Sequence, residues 1–126
     1  MTEPRSWRIR LPYERPPLNL NQSWAHFAAK AKVVKEVRLT AGLLFRSNRI
    51  PPLTKARIRM EWVVPDRRAR DTDNTVLTLK PVADAMVDVG ILHDDTPQYI
   101  SKDETIITYE KGVKALYVTI TEDEGP

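Results

Sequence analysis

The sequence predicts a single small α+β domain, a mostly antiparallel or mixed sheet packed against two main helices. Three observations lead there. Two segments alternate apolar and polar residues with a period of two, two others place apolar residues at helical spacing, and no repeat or long linker divides the 126 residues. The predicted domain therefore spans 1–126, with about 122–126 as a frayed tail.

Residues 6–11, SWRIRL, set Trp7, Ile9 and Leu11 against Arg8 and Arg10, the pattern of a half-buried strand. PYERPPLNLNQ follows as loop, because Pro12, Pro16 and Pro17 cannot donate to a paired strand. From Ser23, a candidate cap, to about Phe45, the residues Trp24, Phe27, Ala28, Ala31, Val34, Ala41, Leu44 and Phe45 form a helical stripe. RSNRIPPLTK ends that helix. In 55–64, KARIRMEWVV, the residues Ala56, Ile58, Met60, Trp62 and Val64 share one strand face. PDRRAR is a basic loop. Leu79, Val82, Met86 and Val89 share a helical side opposite Lys80, Asp84 and Asp88, with Gly90 as a left-handed cap. Pro81 suits a first helical turn, so this helix is expected to begin near Lys80. QYISKDETIITYE and KALYVTIT read as two strands, with Lys111–Gly112 favouring a hairpin between them.

Composition narrows the function. Cysteine is absent, which excludes disulfides and thiolate metal sites. No apolar run approaches the ~20 residues of a membrane span, and the N-terminus has no secretory apolar core. A cytoplasmic protein is expected. Residues 1–70 hold 16 Lys and Arg against 5 Asp and Glu, whereas 71–126 hold 4 against 12. The basic half suits a polyanion such as nucleic acid, and the acidic half would repel it unless cations intervene.

The acidic half opens with RDTDNTVLTLKPVADAMVDVGILHDD, six aspartates and one lysine between residues 70 and 95. In extended chain Asp71 and Asp73 point to the same side with Cα atoms ~6.5 Å apart, so both carboxylates can reach one hard cation such as Mg2+. Asp73 or Asn74 also suits a helix cap. Lys80 and Asp84 have the spacing of a surface ion pair, a plain alternative to any catalytic use. Asp94 and Asp95 follow the cap, where a reversal of the chain carries them back toward Asp71 and Asp73; with Pro97 behind them they also read as a simple turn. His93 and His26 are non-specific.

The pattern PDRRARDTDN, a lysine four residues before Asp84, a glycine, then Asp94–Asp95 resembles the RusA family of Holliday junction resolvases, small endonucleases of phages and prophages. The motif region covers 65–95, and the opening strand with RPPLNLN, which ends at Asn21, is similar to the family's N-terminal Pro-Pro-Asn segment. Relative to the best-known member, three extra residues separate Asn74 from Lys80. The resemblance implies a RusA-like fold and a catalytic set of Asp71, Asp73, Lys80 and Asp95. The three aspartates would hold Mg2+, with Mn2+ as a substitute, and Asp94, Asn74 and Asn21 are further candidates. It also implies a homodimer that resolves four-way DNA junctions by paired phosphodiester hydrolysis in recombination and repair, in a bacterial or phage-infected cell, with no small-molecule cofactor. Arg67, Arg68 and Arg70 beside the set suit DNA phosphates. Two alternatives stand next to this: a binding module for branched DNA that has lost catalysis, and a general flap or branched-DNA nuclease.

Overall fold

The computed structural model describes residues 3–18, 27–70 and 75–123. Their order is β1 (Ser6–Leu11), α1 (Phe27–Ser47), β2 (Ala56–Val64), α2 (Val76–Asp88), β3 (Ile100–Lys102), β4 (Ile106–Tyr109) and β5 (Ala115–Glu122). This is the expected single α+β domain, a five-stranded mixed sheet with two helices.

β2 is the centre of the sheet. It pairs antiparallel with β5, which pairs antiparallel with β1, so that Met60 lies opposite Val118 and Val118 opposite Ile9. Ile9, Leu11, Ala56, Ile58, Met60, Val118 and Ile120 join Val37, Ala41 and Phe45 of α1 and Val82 and Met86 of α2 in one core. The alternate β2 positions, Arg57 and Arg59, are exposed. The two-residue period therefore reads out directly as one covered and one open sheet face.

The other edge of β2 departs from expectation. β3 and β4 both pair with it in parallel, Ala56–Ile58 against Ile100–Lys102 and Glu61–Val64 against Ile106–Tyr109. Between the two patches β2 advances by three residues and its partner by four. QYISKDETIITYE is thus one edge interrupted by a one-residue bulge, where Asp103 reaches Arg57 at 3.5 Å. The expected hairpin at Lys111–Gly112 does not form, because β4 and β5 lie on opposite sides of β2. The chain instead passes over the end of β2, with the Glu110 N–H donating to the Val64 carbonyl at 3.0 Å and Gly112 in the left-handed region at φ 76°. A parallel β2–α2–β3 crossover, not a meander, carries the candidate site segment.

α2 also begins four residues earlier than expected, with Thr75 at its N-cap position and Pro81 buried inside it. An interior proline lacks the N–H that would meet the carbonyl four residues back and costs about 3 kcal/mol in a helix. Tertiary bonds to the first turn offset it. The Thr78 hydroxyl accepts the Leu18 N–H at 3.1 Å and donates to the Leu18 carbonyl at 2.6 Å, and the hydroxyls of Thr75 and Thr105 are hydrogen-bonded.

The end of α2 is as expected. Gly90 has φ 83°, its N–H donates to the Val87 carbonyl at 3.1 Å, and the Ile91 N–H reaches the Met86 carbonyl at 2.9 Å. That pair of bonds is a Schellman cap. α1 ends the same way with Arg49 at the left-handed position, φ 53°. Its buried stripe is Val37, Ala41 and Phe45, while Ala28 and Ala31 are exposed; Ser23 and Trp24 lie outside the described residues. β5 runs through Glu122, and the Asp123 N–H bonds to the Lys55 carbonyl at 2.9 Å, so the ordered chain extends past the expected start of the tail.

Candidate active site

Lys80 sits on the second turn of α2 with its side chain in solvent. Its ammonium donates to Asp84 Oδ1 at 2.9 Å and to Asp95 Oδ2. The first is the pair anticipated one turn along the helix. The second joins residues fifteen apart and exists because the Schellman cap at Gly90 reverses the chain. Asp94 closes the turn from outside, its Oδ1 accepting the Asp95 N–H at 2.8 Å.

The cluster continues into α1. Arg38 grips Asp88 with two bonds, Nε–Oδ2 at 2.5 Å and Nη2–Oδ1 at 2.6 Å, and approaches Asp84 Oδ2 at 3.8 Å. Charges alternate from Asp88 through Arg38, Asp84 and Lys80 to Asp95, across three segments of chain. Gly42 permits the helices to approach here: a Cβ on it would lie 3.3 Å from Val89 Cγ1.

The electrostatics set the protonation states. The hydrogen bond from the Lys80 ammonium, acting against desolvation, holds the Asp95 carboxyl down at about 2. Asp95 and then Asp84 in turn raise Lys80 above its ordinary value. At neutral pH Asp95 is therefore a carboxylate and Lys80 an ammonium. Lys80 is a charge and a hydrogen-bond donor, not a general base.

The basic loop 65–70 leaves the carboxyl end of β2, the end of a crossover strand where ligands of open α/β sheets gather. Its arginines divide into two kinds. Arg67 is exposed, its guanidinium 4.6 Å from the Tyr109 ring centre, and Arg68 is 80% exposed. Arg70 is only 12% exposed and braces the loop: Nη1 donates to Asp66 Oδ1 at 2.8 Å, the Asp66 carbonyl at 3.1 Å and the Arg68 carbonyl at 2.9 Å. Asp66 is held well below the usual carboxylate range by Arg70 first and by the Arg68 backbone N–H second.

Of the implied catalytic set, Lys80 and Asp95 meet. Asp71 and Asp73, with Asn74 and Asn21, lie outside the described residues. No group of three acidic, histidine or cysteine side chains that could hold a metal occurs among the described residues. His93 faces Tyr99, ring centres 5.5 Å apart, and takes no part. Sequence reasoning missed Arg38, read Asp88 only as helix surface, and gave Asp84 a place in the motif pattern and a surface pair with Lys80 but no part in the site. Their signal was the four-residue spacing Lys80–Asp84–Asp88; nothing in the sequence pointed to Arg38.

No helix among the described residues is long and apolar enough to cross a membrane. No family model matches the chain, and no curated protein matches it significantly.

Proposed function

We propose that the chain is a divalent-metal-dependent endonuclease of branched DNA that acts on four-way junctions as a homodimer. The observation that carries this reading is the closure of Asp95 onto Lys80. A helix-surface pair needs a spacing of three or four residues. A lysine that collects carboxylates from its own helix and from the turn beyond it is instead positioned from two directions. The loop 65–70 adds exposed Arg67 and Arg68, and both segments belong to the same β2–α2–β3 crossover.

Asp95 would hold Mg2+ or Mn2+ together with Asp71 and Asp73, a donor set of carboxylate oxygens that suits a hard cation. Such an ion, when bound, activates water and neutralises phosphoryl oxygens. The chain's own residues do the rest. Lys80, kept protonated, donates to a phosphoryl oxygen that gains charge in the transition state. Arg67 and Arg68 bind flanking phosphates without reading sequence. One set of these residues per chain makes one incision, so paired incision calls for two chains related by a two-fold axis.

The test is cleavage of a synthetic four-way junction with Mg2+, against duplex and flap DNA of matched length, by wild-type and Asp95→Asn chains. Junction-selective paired nicking that Asp95→Asn abolishes is the expected result. Equal cutting of flap and junction would favour a general branched-DNA nuclease. Tight junction binding with no cutting in either metal would leave a binding module.

A further inference from the structure

A cleft of about 920 Å3 lies between the loop after β1, residues 12–17, and the loop after β2, with Trp62, Val64 and Pro65 on its floor and Lys114 at its rim. The volume falls within the ~300–1,000 Å3 common for small-ligand sites. We propose that this cleft receives one unpaired nucleotide of a DNA strand. The proposal rests on DNA being the substrate but not on catalysis at Lys80 and Asp95.

Three features select that ligand. The first is flat surface: the partly buried Trp62 lies beside the Arg70 guanidinium, 5.9 Å from its ring centre. A base has two π faces and stacks on indole or guanidinium whatever its sequence. Arg70 is itself fixed by its three bonds within the loop, so the platform is pre-formed. The second is charge. Arg15, Arg68, Arg70 and Lys114 border the cleft against Glu14 and Asp66, and Asp66 is already engaged by Arg68 and Arg70. Neither Arg15 nor Lys114 has an acidic partner among the described residues, so both are available to a phosphate. The third is place. Arg70 directly precedes the segment 71–74 that carries two candidate metal ligands. A strand whose displaced base enters the cleft thereby has its neighbouring phosphates on the loop that leads to the site. Rigid proline walls and a recess suit a single flipped nucleotide, whereas a duplex backbone tracks an open surface.

The test uses the full chain in EDTA, where no cutting occurs, and a single-stranded trinucleotide with 2-aminopurine between two thymidines. Saturable quenching of the 2-aminopurine fluorescence is expected, competed poorly by blunt duplex of equal nucleotide concentration. Trp62→Ala should weaken binding about tenfold or more and abolish the quench, and Trp62→Phe, which keeps a flat stacking face, should keep most of the affinity. Because Trp62 also packs on the core, the joint charge reversal Arg15→Glu with Lys114→Glu, both exposed, decides the matter if Trp62→Ala does not fold; it too should cost about tenfold. Absence of quenching, unchanged affinity on charge reversal, or equal competition by duplex would overturn the proposal. A chain that binds the trinucleotide but cuts no branched DNA keeps the cleft and removes the nuclease reading. One that cuts junctions but neither binds nor quenches the probe removes the cleft alone.

Discussion

Thr78→Val isolates what holds the β1 loop against α2. Thr78 and Leu18 are both fully buried, and one hydroxyl satisfies both backbone groups of Leu18, at 3.1 and 2.6 Å. Valine matches the shape of threonine and removes only the hydroxyl. Leu18 is then left with a donor and an acceptor in the core, each costing about 1–3 kcal/mol when unpaired. The carbonyl is the more forgiving of the two, so the total is expected at about 2–5 kcal/mol, a large share of the ~5–15 kcal/mol that such a domain commands. At roughly 4 °C per kcal/mol for 126 residues, the melting temperature should fall by about 8–20 °C. Thr78→Ser keeps both bonds and loses one methyl group, for about 1 kcal/mol. Urea unfolding of the three proteins, read at equal m values, gives the comparison. A valine variant within ~1 kcal/mol of wild type, or a serine variant less stable than valine, would show that apolar packing and not the hydroxyl clasp seats residues 12–18. Since residues 12–17 wall the cleft, Thr78→Val should also loosen nucleotide binding.

Arg49→Gly should stabilise the protein by about 0.5–1 kcal/mol in thermal melts, because arginine occupies the left-handed position of the α1 cap where glycine carries no Cβ penalty; a loss would mean the arginine makes a compensating contact. Lys80→Ala should slow single-turnover junction cleavage on the order of a hundredfold or more while binding changes little, and weakened binding with unchanged cleavage would reduce Lys80 to a phosphate anchor. The Asp95 carboxyl is lowered in the fold from 3.8 to about 2, so its stabilising contribution is full above pH 3.8 and is lost as pH falls through about 2. Denaturant midpoints of wild type and Asp95→Asn should therefore differ near neutrality and converge in that acid window, and a gap that stays constant with pH would refute the assigned cause. Arg67→Ala and Arg68→Ala should each lower the slope of log affinity against log salt by about one with little loss of stability. Arg70→Ala should instead lower stability through the Asp66 loop, which thermal melts and salt titrations distinguish.

The strands and helices were legible because burial leaves a period in the chain. Arg57 and Arg59 between Ala56, Ile58 and Met60 could belong only to a strand with one covered face, and Leu79, Val82 and Met86 only to a helix with one. Gly90 was legible for a backbone reason, since a left-handed cap disfavours any Cβ. Pairing partners were not. An apolar–polar alternation records which face is covered and says nothing of which strand lies alongside, so the parallel edge of β2 and the absent hairpin emerged only in three dimensions. Pro81 misled for the same reason: its local preference for a first turn yielded to Thr75 and Thr78, whose partners Thr105 and Leu18 are distant in the chain.

Residue chemistry divides along the same line. The aspartates, Lys80 and the arginines were visible as types, and the spacing Lys80–Asp84 foretold one contact because a helix turns every 3.6 residues. The bond from Lys80 to Asp95, the grip of Arg38 on Asp88 and the burial of Arg70 depend on where whole segments come to rest. The contrast between a basic first half and an acidic second half shows this most clearly. Much of it resolves into ion pairs across the halves, Arg5 with Glu122, Arg38 with Asp88, Lys55 with Asp123 and Arg57 with Asp103. Sequence order determined which charges the chain carries, whereas Coulomb attraction over a few ångströms depends on spatial distance, and only the tertiary structure sets that distance.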